Sequence, residues 1–193
     1  MQKLDLTEHT LESKDEYQGR LLHVKKDRVR LPDGNESTRE YVVHPGAAVI
    51  LPIFENGDIL LERQHRYPLH RDFLELPAGK FDPNESELVC AKRELQEETG
   101  YAANEWARAG VIHPVISYST EFIEIWVARH LVHGARQLDA GEFLDVFTAT
   151  PSELMQWCMD GTITDAKTIC GALWLQNMLS GSWQPAWQPG VRR

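Results

Sequence analysis

The sequence contains little cysteine, and what it has is not arranged to bind a metal through sulfur. Cys90, Cys158 and Cys170 are odd in number and widely spaced, and no CxxC pair or Cys/His cluster occurs. This pattern argues against a thiolate zinc site. A chain of 193 residues can bury roughly 70 % of its unfolded surface, so it needs no disulfide to fold. We expect buried, inert thiols in a reducing cytosol.

Long apolar runs, a secretory leader and an excess of basic charge are also missing. Residues 1–19 are polar and mixed in charge, and no apolar stretch approaches the about 20 residues that span a bilayer. The formal net charge is −9, whereas non-specific binding to nucleic acid requires a basic surface. We expect a soluble, cytoplasmic protein that binds neither membrane nor nucleic acid.

The N-terminal residues 1–44 form a small unit that differs in pattern from the rest of the chain. Short strand candidates are Leu21–Val24, Arg28–Leu31 and Thr38–Val43, with a Pro-Asp-Gly-Asn turn at residues 32–35. So small a β-unit buries little surface by itself. We therefore expect it to pack on the main domain, residues 45–193, or on a second subunit.

The main domain combines apolar strand candidates with helical segments. An Asn-Gly pair at residues 56–57 predicts a hairpin. The strand candidates are residues 47–54, 59–62, 73–76, 106–112, 121–128 and 142–148, and the helix candidates are residues 85–99, 152–159 and 165–179. The Trp/Pro-rich tail from Ser180 is not expected to be helical. We expect Trp183 and Trp187 to cap the core or a subunit contact.

Residues 85–99 give the strongest helix prediction and carry a cluster of carboxylates. Glycine at position 100 ends the helix, and Leu88, Ala91 and Leu95 form one apolar stripe. Glu94 and Glu98 lie one turn apart beside that stripe. A third carboxylate, at position 97, lies on the flank of the same patch.

Carboxylates at this spacing repel one another unless a cation lies between them. Like charges at i,i+4 destabilise an exposed helix by about 0.2–0.5 kcal/mol, and by more where water is excluded. Ligands that are all oxygen favour a hard cation, for which Mg²⁺ is the first choice and Mn²⁺ the second. The helix by itself leaves a second interpretation open, a solvated acidic face.

The wider spacing decides between the two interpretations. Gly79, Glu85 and the run Arg93-Glu94-Leu95-x-Glu97-Glu98-x-Gly100-Tyr101 resemble the Nudix box throughout. Tyr101 is the one departure, at a position where the family more often has an aliphatic residue. The resemblance implies an α/β fold, a Nudix α/β/α sandwich with a mixed sheet and a small N-terminal β-unit. It also implies Mg²⁺-dependent hydrolysis of a diphosphate.

The same resemblance implies roles for the residues of the box. Glu94, Glu98 and the carbonyl of Ala78 correspond to metal ligands of the family, and Glu97 to the residue that supports the metal's water shell. Arg93 corresponds to the arginine that orients these carboxylates. Glu85 would hold that arginine, and Gly79 would allow the backbone to approach the substrate closely.

Segments outside the box resemble ADP-ribose pyrophosphatases within this family. They are residues 44–47, 64–67, 74–80, 99–101 and 165–168, so that the resemblance extends over roughly residues 20–180. It implies hydrolysis of ADP-ribose to AMP and ribose 5-phosphate. It further implies a homodimer in which the N-terminal β-unit is exchanged between subunits and the active sites are composite.

This closer resemblance implies five further site residues. Arg66 would grip a phosphate, and Glu75 would position the substrate or a metal-bound water. Glu142, ahead of nearby Asp139, would supply a metal ligand or the catalytic base. Glu121 would lie near the terminal ribose, and Arg39 would reach the substrate across the dimer. A surface cation at Arg66 and a solvated edge charge at Glu121 remain the alternatives.

One position, Ile116, leaves the identity of the substrate open. Members of the group commonly carry a proline about fifteen residues beyond the box, where this chain has Ile116, and Pro114 lies two residues earlier. The alternatives are therefore a pyrophosphatase for another nucleoside diphosphate sugar or a dinucleotide, and a non-catalytic nucleotide-sensing module. The intact glutamates of the box argue against the sensing module.

Overall fold

The computed structural model describes residues 4–190 and divides the chain into two compact units. The first unit contains residues 4–45 and 115–122, and the second contains residues 46–114 and 123–190. The segment 115–122 thus groups with the N-terminal residues, although it lies far along the chain. It is joined to them by a parallel bridge between Val42 and Ser119.

The first unit is built on a three-stranded antiparallel sheet in the order β1-β2-β3. Its strands are β1 (His9–Gln18), β2 (His23–Arg30) and β3 (Glu36–Val43). The two short strands expected at residues 21–24 and 28–31 are one continuous strand, β2, because residues 25–27 pair with both neighbours. β1 was not predicted, since all ten of its residues are exposed and it shows no apolar alternation.

The second unit contains an eight-stranded mixed sheet. Its strands are β4 (Ala47–Ile53), β5 (Ile59–Arg66), β6 (Arg71–Glu75), β7 (Ala78–Lys80), β8 (Tyr101–Ile112), β9 (Ile123–His133), β10 (Leu144–Ala149) and β11 (Gln188–Pro189). The order is β10-β5-β4-β9-β8-β11, with β6 on β5 and β7 on β4. β4 and β9 run parallel and the other pairs antiparallel, which makes the sheet mixed.

Helices cover both faces of this sheet. α1 (Glu87–Thr99) packs on one face, where Leu95 meets Leu60 and Trp126 in an apolar cluster. α2 (Pro151–Asp160) and α3 (Ala166–Leu179) pack on the other face through Leu154 and Leu175. The α/β/α sandwich with a mixed sheet and a small N-terminal β-unit is therefore confirmed.

The ends of α1 follow the sequence signals closely. The helix begins two residues later than predicted, after Ser86, and ends at Gly100, whose φ of 76° is in the left-handed region that glycine tolerates. This stop fixes the last turn, which carries Glu97 and Glu98. The helix therefore presents its carboxylates at the end of the apolar cluster.

The tail and the cysteines agree in part with expectation. Trp183 packs edge-on against Trp174 with ring centroids 4.9 Å apart, and Trp187 lies under the Arg129 guanidinium, so both tryptophans cover the core on the α3 side. Burial raises the pKa of all three thiols, although only the cysteine on α1, at position 90, is fully buried. No helix among residues 4–190 is long and apolar enough to cross a membrane.

Candidate active site

The short strand β7, residues 78–80, contacts the C-terminal half of α1. The backbone amide of Ala78 donates a hydrogen bond of 3.0 Å to Oε2 of Glu98. A Cβ built on Gly79 would lie 1.9 Å from Cδ and Oε1 of Glu94, so a side chain at position 79 would displace this carboxylate. The Cys90 thiol lies below the loop, within 3.6 Å of the carbonyl of Gly79 and 3.5 Å of that of Lys80.

Arg93 organises the other carboxylates of the helix. Its Nε and Nη2 donate to the two oxygens of Glu85 at 2.9 and 2.7 Å, a bidentate contact. Its Nη1 donates to Glu94 at 2.7 Å and to Glu97 at 3.1 Å. The hydrogen bond from Arg93 holds the pKa of Glu85 below its ordinary value. The structure thus brings together these four residues of the box, as the resemblance implied.

The carboxylates nearest the loop are held away from water. Burial raises the pKa of Glu94 to about 7, despite the opposing charge of Arg93. Burial, and then the charges of Glu62 and Glu94, raise the pKa of Glu98 well above its ordinary value. A group of buried acids with raised pKa values at one place is typical of a functional site and of a place where a cation is required.

Glu62 belongs to this group and was not identified in the sequence. It lies on β5, is fully buried, and both of its carboxylate oxygens lack a hydrogen-bond partner among residues 4–190. Burial, and then the charge of Glu75, raise the pKa of Glu62 to about 8. The available signal was an acid directly after the apolar run Ile59-Leu60-Leu61, in a strand that was predicted to end there.

A second charged group surrounds Glu75. Arg66 donates to both oxygens of Glu75, each at 2.7 Å, and Lys167 donates to the same carboxylate. Lys167 also binds Asp165 at 3.0 Å. Burial alone would raise the pKa of Glu75, but the hydrogen bond from Arg66 and the charge of Lys167 lower it below the ordinary value. Lys167 lies in residues 165–168, one of the segments that resemble ADP-ribose pyrophosphatases, but the sequence did not indicate its contact with Glu75.

Glu142 lies in the loop before β10 and is linked to β5. Gln64 Nε2 is 3.4 Å from Glu142 Oε1, and the amide of Glu142 donates to the carbonyl of Asp139 at 3.0 Å. Glu142 is also among the charges that raise the pKa values of Glu94 and Glu98. The Glu142 carboxylate therefore lies close enough to α1 for its charge to act on Glu94 and Glu98.

Two of the predicted substrate-binding residues lie in the first unit. Arg39 donates to Glu8 from Nε at 2.8 Å, and to the Thr38 carbonyl at 2.9 Å. Glu121 faces His44, with Oε1 3.9 Å from Nε2. These contacts are local to that unit, so the roles of Arg39 and Glu121 at a substrate remain predictions.

The residues on the helix and loop fit a hard divalent cation in their chemistry. Among residues 4–190 no three His, Cys, Asp or Glu side chains are grouped closely enough to hold an ion as they stand. Arg93 donates to one oxygen of Glu94 and to one oxygen of Glu97, so the second oxygen of each carboxylate can meet a cation. The donors are all oxygen, Gly79 leaves Glu94 room at the loop, and the buried oxygens of Glu62 lack a hydrogen-bond partner within residues 4–190.

Comparisons with known proteins agree with this site. The NUDIX domain model matches residues 43–170, and the nucleoside diphosphate sugar hydrolase N-terminal domain model matches residues 8–42. Methanol dehydrogenase activator of Bacillus methanolicus is 36 % identical over 88 % of this chain and 92 % of its own. ADP-ribose pyrophosphatase of Bacillus subtilis (strain 168) is 32 % identical over 89 % of this chain and 94 % of its own.

A solved structure shows the same fold. The crystal structure of ADP compounds hydrolase superposes with a TM-score of 0.84 at 23 % identity, over 94 % of this chain and 98 % of that one. The NUDIX model spans more than half of the chain and includes the complete box from Gly79 to Tyr101. The chain therefore belongs to the Nudix hydrolase family.

Proposed function

We propose that this enzyme hydrolyses the pyrophosphate bond of ADP-ribose, with Mg²⁺, to AMP and ribose 5-phosphate. The observation that carries the reaction class is the buried carboxylate of Glu98 together with the half-buried carboxylate of Glu94, which lies against the loop glycine, Gly79. The nearly full-length similarity to an ADP-ribose pyrophosphatase supports the choice of substrate.

Four oxygen donors are proposed to hold the cation. They are the carboxylates of Glu94, Glu98 and Glu142 and the backbone carbonyl of Ala78. Mn²⁺ is the expected substitute, because the same ligands suit both ions. When bound, the cation neutralises the diphosphate, polarises it and lowers the pKa of the attacking water.

The other residues of the box are proposed to keep these donors in place. Arg93, itself gripped by Glu85, fixes the direction from which Glu94 and Glu97 approach the site. Glu97 is the more exposed of these acids, which suits a role at the water shell. Glu142, on a loop outside the helix, is proposed to take the proton from the attacking water.

Arg66 and Glu75 are proposed to bind the substrate. Glu75 fixes Nε and Nη2 of Arg66, whose side chain is 40 % exposed, and so presents a planar cation that suits a phosphate. Gly79 would allow the diphosphate to approach the loop backbone. The two hydrogen bonds from Arg66 to Glu75 would then hold the guanidinium in a fixed orientation toward the phosphate.

The N-terminal residues are proposed to serve a homodimer. We take residues 1–44 as the dimerisation β-unit and residues 45–193 as the hydrolase domain. The fully exposed edge strand β1 supports this, because a long edge strand with free backbone groups favours pairing with another chain. In the dimer, Arg39 and Glu121 would contribute to the substrate site.

Complementation tests the composite site. Arg39→Ala and Glu98→Gln are each expected to impair the enzyme when they are present in every subunit. A mixed dimer of the two variants regains activity if Arg39 acts across the dimer, because one site then has both residues. No regain on mixing, with the mixed dimer demonstrated by mass, would contradict the composite site.

A substrate panel tests the choice of ADP-ribose. One alternative is another nucleoside diphosphate sugar, which the match of the N-terminal domain model supports, and the other is a dinucleotide. With Mg²⁺, kcat/KM for ADP-ribose should exceed that for other nucleoside diphosphate sugars and for dinucleotides. Fast turnover of one of these without turnover of ADP-ribose contradicts the proposal. Binding without turnover of any would favour the sensing module.

A further inference from the structure

We propose that Glu62, on strand β5, is an additional carboxylate ligand of the cation site. It would join the ligands proposed on α1 and in the loops. The inference rests on the proposed function, because it assigns a residue to the same divalent cation. It would make the site a two-sided one, in which α1 and β5 approach the cation from opposite sides. Nothing in the Nudix box identifies this residue, since it lies seventeen residues before Gly79.

The Glu62 side chain is buried without a partner among residues 4–190. The residue is 0 % exposed, and both carboxylate oxygens are buried with no hydrogen-bond partner among residues 4–190. An unpaired buried charge destabilises a protein by several kcal/mol, and buried polar atoms normally have a partner. A carboxylate left in this condition requires a ligand, a proton or a reason in function.

Glu62 points toward the helix side of the sheet. Side chains alternate along β5, so Glu62 shares a face with Leu60, which belongs to the same apolar cluster as Leu95 of α1. Glu98 lies one turn beyond Leu95 on the helix. Leu60 and Leu95 belong to one apolar cluster, and Glu62 and Glu98 follow them just outside it, one on the strand and one on the helix. The two carboxylates therefore lie together at its end, and their charges act on each other.

Other charged groups also face Glu62. Glu75 is its partner in register on β6, and Gln64, next on the same face of β5, reaches Glu142. Arg66 and Lys167 also act on Glu62, but their hydrogen bonds go to Glu75. Among residues 4–190, Glu62 therefore has no hydrogen-bonded cation of its own, and a divalent ion would supply one.

Glu124 shows what a structural carboxylate on this sheet looks like. It is buried on β9 and acts as an internal comparison for Glu62. Arg108 donates to its two oxygens at 2.6 and 2.8 Å. The fold therefore supplies a partner where a buried acid is only structural. Glu62 differs in this respect, and its position beside Glu98 identifies the cation as the missing partner.

Direct cation binding tests the assignment without reliance on catalysis. Mn²⁺ binding is measured by electron paramagnetic resonance for the full chain and for Glu62→Gln, Glu62→Met, Glu98→Gln and Glu124→Gln. Both Glu62 variants should weaken Mn²⁺ binding by roughly 10–100-fold. Glu124→Gln should bind Mn²⁺ like the wild type, and Glu98→Gln should bind it weakly.

Thermal unfolding supplies the second measurement. Without a divalent ion, Glu62→Met should raise Tm, because it removes a buried carboxyl group that has no hydrogen-bond partner among residues 4–190 and keeps a similar side-chain volume. Glu124→Gln should lower Tm, because it removes one side of a satisfied pair. Added Mn²⁺ should raise Tm of the wild type by more than that of either Glu62 variant.

The outcomes separate this inference from the proposed function. If both folded Glu62 variants bind Mn²⁺ as tightly as the wild type while Glu98→Gln does not, the inference is wrong and the proposed cation site stands. If the wild type itself binds no Mn²⁺ or Mg²⁺, both are wrong. Weakened binding in both Glu62 variants, with Glu124→Gln unchanged, supports the assignment.

Discussion

Gly79 lies directly against the carboxylate of Glu94, so closely that a Cβ on Gly79 would come within 1.9 Å of it. The loop and the helix therefore meet without a side chain between them at this point. Ala78 and Glu98 make the neighbouring contact, a hydrogen bond of 3.0 Å. The proposed cation site is built on these two contacts.

Gly79→Ala should impair catalysis more than folding. The new methyl group would displace the Glu94 carboxylate, which is the end of a flexible side chain, rather than the backbone. We expect kcat/KM to fall by roughly 10–100-fold, as for lost support of a metal ligand, with only a small change in Tm. Steady-state kinetics and thermal unfolding measure the two effects.

Gly134→Ala is the matched control for this substitution. Its Cβ would also meet a side chain, that of Gln96 at 3.3 Å, but away from the proposed donors. It should leave kcat/KM near the wild-type value. Equal loss of activity in both variants, or none in Gly79→Ala, would show that the contact with Glu94 is unimportant.

Lys167→Met should weaken substrate binding through Glu75. Removal of the ammonium leaves a buried carboxylate with Arg66 as its remaining cation in this cluster, so Arg66 is drawn more strongly toward Glu75. We expect KM to rise by about tenfold with a smaller change in kcat, and the free energy of unfolding to fall by about 1–3 kcal/mol. The separate measurement of KM and kcat distinguishes substrate positioning from a general loss of structure.

Lys92→Met provides the comparison for Lys167. Lys92 lies on α1, outside the charged group around Glu75. Its replacement should leave KM unchanged. An unchanged KM in Lys167→Met as well would mean that Glu75 and Arg66 hold their positions without the lysine.

The stability of the metal-free protein should depend on pH through Glu62. Its pKa is raised in the folded state from an ordinary value of 4.5 to about 8. The folded state therefore binds more protons than the unfolded state between these values, and stability falls as pH rises through this window. The fall should be on the order of a few kcal/mol.

Denaturant unfolding with chelator present, between pH 5 and pH 8, measures this dependence. The acidic side chain of Glu75 contributes in the opposite sense, since its lowered pKa gives stability that is lost only at acid pH. Glu62→Met should reduce this slope above pH 5, and the slope that remains belongs to Glu94 and Glu98, whose pKa values burial also raises. A slope that is the same in wild type and Glu62→Met would assign it to other groups.

Local features of the site followed from the sequence, because they depend on helix geometry. The apolar stripe that ends in Leu95 and the stop at Gly100 depend on relationships within one helix, and the structure contains both. The contacts of Arg93 with Glu85 and Glu97 were implied by the resemblance to the Nudix box, and the structure contains both hydrogen bonds.

Features that depend on strand pairing did not follow. Glu62 pairs with Val146 of β10 on one side and with Glu75 of β6 on the other, an arrangement that no periodicity within β5 reveals. Lys167 meets Glu75 across ninety-two positions of the chain. β1 is exposed along its whole length, so it lacks the apolar alternation that identifies a strand.

The most direct test of the central claim is hydrolysis of ADP-ribose by the wild type and by Glu98→Gln, with Mg²⁺ and with chelator. The account predicts AMP and ribose 5-phosphate from the wild type with Mg²⁺, and no turnover with chelator. Glu98→Gln should fold and lose on the order of 100-fold or more of this activity. Turnover by the wild type that persists in chelator, or that is unaltered in Glu98→Gln, would contradict the account.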